Sequence, residues 1–175
     1  TDALVAAAAG ARTAVVIGGG FIGVEVAENL VHLGMDVAVV EAADQVMAPI
    51  DPEMATPVHD RMRAHGVDLR LGSAVAAIGP HEVTLATGDT LYADLVVAAI
   101  GVRPETTLAE QAGLAIGERG GILVDDQLRT SDPDILAVGD AIEKTDAVDG
   151  TAALIPLANT ANLQGRRAAD VIAGH

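Results

Sequence analysis

A chain of 175 residues can bury one core of ordinary size, or one and a half smaller ones. Half of it is apolar, yet Phe21 and Tyr92 are its only aromatic residues, so the interior has to be built from Ala, Val, Ile and Leu. A formal net charge of -15 argues against nucleic-acid and anionic-membrane partners, and the lack of cysteine excludes a disulfide framework, a thiolate metal site and an internal redox dithiol.

The N-terminal run Ala3 to Ala9 follows only Asp2 and has no positive flank, so it does not read as a signal peptide. The first predicted strand is Thr13 to Ile17, and it runs into Gly18-Gly19-Gly20-Phe21-Ile22-Gly23. A helix is predicted from Gly20 to about Leu33, with Ile22, Val26, Leu30 and Leu33 at helical spacing and Gly34 placed for a C-terminal cap. Asp36 to Glu41 is the second strand. After a loop containing Pro49 comes a helix over Pro52 to Ala64, with Asp51 as N-cap and Pro57 expected to kink it or delay its start. Val67 to Leu71 is the third strand. Three short strand-like runs follow, Ala74 to Ile78, Glu82 to Ala86 and Thr90 to Ala93, and they read as a β-meander. Leu95 to Ile100 is apolar throughout, as a buried parallel strand should be, and is far too short to span a bilayer.

A domain boundary is expected near Pro104. Beyond it lie a short helix around Thr107 to Ala112, the run Gly120 to Val124, a buried strand over Ile135 to Val138, a polar solvent loop over Glu143 to Gly150 and a long helix from Ile155 to Ile172. No metal site is expected, because the five histidines are dispersed and His59 and His65 stand six apart. The expected compartment is the cytoplasm.

Strand, glycine turn, helix, strand and terminal acid together make a dinucleotide-binding unit. Gly18 lets the chain leave the strand in a tight turn, Gly20 leaves no side chain between backbone and pyrophosphate, and Gly23 lets helix and strand pack closely. Gly19 fills a free position and is not required. The amides of the turn and the positive end of the helix, at Phe21 and Ile22, then face the phosphates. Glu41 falls 23 positions after Gly18 and reads as the partner of the adenosine ribose. No Arg or Lys lies in Glu41-Ala42-Ala43-Asp44-Gln45, which favours NAD(H) over NADP(H). The competing readings are a glycine turn without a ligand and a solvated acid at a strand end.

Three segments, Val16 through Glu25, Ala98 through Pro104 and Thr130 through Ala141, resemble in this order the pyridine nucleotide-disulfide oxidoreductases, a family of two-dinucleotide flavoproteins. The tail Ile155-Pro156-Leu157-Ala158-Asn159 with Gln164-Gly165-Arg166 is similar to the branch of coenzyme A-disulfide reductases, NADH oxidases and NADH peroxidases. The resemblance implies an α/β fold: a Rossmann-like parallel sheet with a β-meander over residues 1–104, the NAD(H)-binding domain, then a partial FAD-binding domain over residues 105–175. It implies that Gly139 and Asp140 serve the flavin, Gly139 by leaving room and Asp140 by accepting from the ribityl hydroxyls. Glu25 resembles an acid near the nicotinamide carboxamide, or else simply sits favourably in a first helical turn. Gly101 lies where the family's strand end approaches the nicotinamide, or provides a tight crossing between domains; Arg103 is a further neighbour.

In the family a flavin glycine motif and a redox cysteine precede such a segment and a dimerisation domain follows it. The resemblance therefore implies a part of a longer FAD-dependent enzyme, one that passes hydride from NADH to FAD and on to a disulfide, peroxide or oxygen. The missing flavin-domain half and the dimerisation domain are its expected partners. By the same implication the chain alone is inactive, has no catalytic residue of its own and binds no FAD stably. The alternatives are part of an NADH-dependent ferredoxin or rubredoxin reductase, which the Ile155-Pro156-Leu157-Ala158 tail disfavours, and a standalone nucleotide-binding sensor module.

Overall fold

The computed structural model describes residues 2–174, which fall into two compact units, one up to Gly101 and the other from Val102. The first unit opens with helix α1 (Asp2–Ala8), which has no counterpart among the expected elements; it buries no residue. Strand β1 (Thr13–Ile17), helix α2 (Phe21–His32), strand β2 (Asp36–Val40), helix α3 (Pro52–Ala64) and strand β3 (Asp68–Arg70) follow. Strands β4 (Val75–Ile78), β5 (Glu82–Leu85) and β6 (Thr90–Tyr92) form the antiparallel meander, and β7 (Leu95–Ala98) returns to the main sheet. That sheet is parallel throughout, in the order β3-β2-β1-β7.

The run of apolar residues in β1 and β2 follows from cover on both faces. Ala14, Val16, Val37 and Val39 turn to one face, where Ala27 and Leu30 of α2 and Met62 of α3 pack on them. Val15 and Val40 turn to the other, against Val83 and Leu85 of the meander. With such small side chains the helix can approach the sheet closely, and Val15, Val16, Val39 and Val40 are all fully buried.

Strand β7 departs from the expectation of a buried strand. It has a neighbour on one side only, so Leu95 is buried, Val96 and Val97 are half-buried, and Ala98 is exposed. Its start is fastened by Asp94. One carboxylate oxygen of Asp94 accepts from the backbone N–H of Arg12 and Thr13 at 2.9 and 3.0 Å and from the Thr13 hydroxyl at 3.0 Å. The other accepts from the Tyr92 hydroxyl at 3.0 Å. Helix α3 starts undelayed at Pro52 with Pro57 inside it, and Asp51 occupies the N-cap without a side-chain hydrogen bond. Gly34 and Gly66 end α2 and α3 with φ of 84° and 83°.

In the second unit, helix α4 (Thr107–Gln111) precedes strand β8 (Ile122–Leu123), and a 3-10 turn over Gly139–Ala141 leads into strand β9 (Ile142–Thr145). Strand β10 (Ala152–Ala153) and helix α5 (Ala158–Ala173) complete it. The sheet order is β10-β9-β8, and a small core gathers around Leu128, Ile142 and Ala168.

Two expectations fail here. Ile135 to Val138 is not a buried strand: Leu136 makes a single bridge to Arg129, and Ile135 and Val138 are each 39% exposed. The strand lies instead at Ile142–Thr145, where a polar loop was expected. Glu143 is only 2% exposed, and its carboxylate accepts from the amides of Arg119 and Gly121 at 2.8 and 3.2 Å. Two backbone donors satisfy the buried Oε2, so an acidic side chain can stand inside a strand.

Candidate functional site at the glycine turn

The C-terminal ends of β1, β2 and β7 lie side by side, with Ile17 in register with Val40 and with Ala98. Gly18 leaves β1 at this edge with φ 103°, its N–H donating to Val40 O at 2.8 Å. A side chain there would be strained by that φ and would also strike the Ala99 carbonyl that follows β7. Gly23, in the first turn of α2, has no space at all, because a Cβ would overlap the Gly18 carbonyl oxygen. Both glycines are demanded by the fold itself.

Gly19 is likewise demanded, which corrects the reading of a free position. A Cβ on Gly19 would stand 2.9 Å from Val46 Cγ1 and 3.2 Å from Glu41 Cβ, and Val46 is fully buried. The Gly19 N–H donates to Glu41 Oε2 at 2.6 Å and its carbonyl accepts from the Met47 amide at 2.8 Å. Glu41 thus closes the turn, and its other oxygen accepts from the Ala43 amide at 2.8 Å. An ionised carboxylate has about four acceptor positions, so two remain.

Gly20 is different. It is the N-cap of α2 with φ -69° and ψ -178°, a conformation open to any residue, and a Cβ on it would meet nothing within 4 Å. No side chain caps α2, whose first amides have no partner within the helix. Phe21 and Ile22, the first two helical residues, are more than half exposed.

Glu25 is the fifth residue of α2 and exposed, and the first turn holds no acid, so the favourable first-turn placement does not apply. Gly101 is exposed with φ 99°, and Arg103 is exposed. Gly139 and Asp140 belong to the second unit. Gly139 has φ 80° and donates its N–H to Gln164 Oε1 at 2.7 Å, which ties the turn to α5; Asp140 is exposed.

Sequence reasoning missed Val46, Met47 and His59. The Val46 amide donates to His59 Nε2 at 3.1 Å, across 13 positions of sequence and with no periodic signature. Met47 has φ 51°, rare outside glycine, and nothing in its residue type announces it. Among the described residues no cluster of His, Asp and Glu is arranged to hold a metal, and no helix is long and apolar enough to cross a membrane.

The model of the pyridine nucleotide-disulphide oxidoreductase family matches residues 1–165. The chain belongs to that family. It is 41% identical over 144 residues to the large subunit of nitrite reductase [NAD(P)H] from Klebsiella oxytoca, covering 79% of this chain and 15% of that protein. Among solved structures, the reduced CoADR-RHD of Bacillus anthracis superposes with a TM-score of 0.92 at 51% identity, over 94% of this chain and 30% of that one. The water-forming NADH oxidase of Lactobacillus brevis, bound to NADH, superposes with a TM-score of 0.86 at 33% identity, over 95% of this chain and 38% of that one. The chain therefore spans less than half the length of each of these family members.

Proposed function

We propose that residues 1–104 form an NAD(H)-binding domain and residues 105–175 part of an FAD-binding domain in an FAD-dependent oxidoreductase. One observation carries the nucleotide reading. No neighbour within the chain requires Gly20 to be glycine, and it stands where α2 presents uncapped amides to open space. A pyrophosphate in that space supplies the reason: it needs close backbone, free N–H groups and a positive helix end.

The amides of Gly20, Phe21 and Ile22 are the phosphate donors in this reading. Glu41 keeps two acceptor positions for the ribose hydroxyls, and its charge repels a 2′-phosphate, so NADH is preferred to NADPH. Gly101 and Glu25 flank the nicotinamide, and Gly139 with the exposed carboxylate of Asp140 serve the flavin ribityl chain. When bound, NADH supplies a hydride, which in the whole protein passes to FAD and on to a disulfide, peroxide or oxygen acceptor. This chain's own contribution is berth and orientation. The bound NADH of the Lactobacillus brevis oxidase supports the reading.

Calorimetric titration tests it. NADH is expected to bind more tightly than NADPH, and Glu41→Arg to weaken NADH and admit NADPH. An unchanged preference removes Glu41 from the site, and no binding of either nucleotide by the folded chain contradicts the reading.

A further inference from the structure

Between β2 and α3 the chain runs through residues 41–51 without helix or strand. This segment lies against the glycine turn at three points: the Glu41 carboxylate on the Gly19 amide, the Met47 amide on the Gly19 carbonyl, and the buried Val46 side chain in the space beside Gly19. The fastening that holds Val46 from the other side comes from α3, where His59 Nε2 accepts the Val46 N–H at 3.1 Å. A path of direct contacts thus runs from His59 through Val46 to Gly19, the neighbour of Gly20.

We propose that His59 is a positioning residue for the nucleotide-binding turn, holding residues 41–51 in place through the Val46 amide only while its imidazole is neutral. The proposal rests on the nucleotide reading above. A backbone N–H can only donate, so the hydrogen bond requires an unprotonated Nε2 and places the neutral ring's proton on Nδ1. Protonation turns Nε2 into a donor facing a donor, and the loop loses its hold on α3. The charged groups acting on the ring are Arg63, one turn along α3, and Asp60 beside it; the loop contributes the uncharged Val46 amide. Burial and then Arg63 hold the imidazole below its ordinary value of 6.5, with Asp60 pulling the other way. His59 is therefore neutral above pH 6.5, and the fastening is lost as pH falls through the ring's own value, which lies below 6.5. Nucleotide affinity then falls in the same direction.

The probe is ADP-ribose, which carries the pyrophosphate and the adenosine ribose and survives mild acid. Its affinity for the whole chain is measured at about pH 7.5 and about pH 5 for wild type, His59→Gln and His59→Phe. Wild type is expected to weaken at the lower pH, approaching about five-fold as the ring becomes protonated, the value of one net hydrogen bond. His59→Phe is expected to bind weakly at both pH values. His59→Gln, whose side-chain carbonyl still accepts the Val46 N–H, is expected to recover most of that loss and to show no pH slope. A wild-type slope retained in His59→Gln, or wild-type affinity in His59→Phe at pH 7.5, overturns the proposal alone. In parallel, the Val46 and Gly19 amide resonances of the ligand-free chain are expected to shift together below pH 6.5 in wild type and to stay fixed in His59→Gln. Amides that stay fixed in wild type also overturn it. No binding of ADP-ribose by wild type at either pH overturns the nucleotide reading and the proposal with it.

Discussion

Four glycines stand within six positions at the end of β1, and for only one of them does no neighbour exclude a side chain. Gly18 is fixed by its φ of 103° and the Ala99 carbonyl, Gly19 by Val46, and Gly23 by the Gly18 carbonyl, whereas a Cβ on Gly20 would meet nothing. Alanine substitution separates these roles. Gly18→Ala is expected to cost at least about 2 kcal/mol, from the left-handed backbone and the overpacking together. Gly19→Ala is expected to cost about 1–3 kcal/mol by displacing Val46. Gly20→Ala is expected to lose under about 1 kcal/mol of stability, the preference for glycine over alanine at an N-cap, while weakening NADH at least about tenfold. Denaturant melts read alongside NADH titrations check the set; equal losses of stability and binding in all three would remove the distinction. Sequence gave the motif but not this division, since four glycines look alike until their neighbours are placed. Gly19 read as free because Val46, which fills the space beside it, is 27 positions away.

Among the elements, β1 and β2 were legible because both faces of a parallel strand are buried and the chain therefore reads as unbroken Val and Ala. The start of β7 was legible for the same reason, but not its exposed end, because a sheet edge is set by which strand is absent. Ile135 to Val138 read as a strand on composition alone, yet it finds only Arg129 for a bridge. Ile142–Thr145 read as a loop because nothing local announces that the amides of Arg119 and Gly121 will satisfy Glu143. Strand pairing also explains a pH response. The amides of Arg12 and Thr13, then the Thr13 hydroxyl and that of Tyr92, hold the Asp94 carboxyl at about 2, below its ordinary 3.8. A depressed folded-state value adds stability above pH 3.8 and loses it as pH falls toward 2. Asp94→Asn is therefore expected to lower the melting temperature at neutral pH and to flatten its fall between about pH 4 and pH 2. Parallel melting curves of variant and wild type across that range would contradict the clasp.

Taken over the whole molecule, the two units differ in how much core they own. The first holds buried clusters of twelve and five residues and the second a cluster of three. Local opening follows buried apolar contact, so amides of β8 and β9 are expected to exchange with deuterium well before those of β1 and β2. Uniform protection across both units would contradict that ranking. By the same reasoning a chain of residues 1–104 is expected to fold and to bind NADH as the 175-residue chain does, because every contact described at the glycine turn lies within it. In the nucleotide reading a dinucleotide's phosphates rest on the backbone at Gly20, and everything else proposed for the site depends on that contact. It is tested most directly by following backbone amide resonances of the full chain as NADH is added. Saturable shifts are expected at Gly19, Gly20, Phe21 and Ile22, smaller ones at Glu41 and Ala43, and none in the meander. Unmoved resonances at Gly20 and Phe21 in a chain whose spectrum shows it folded would contradict it.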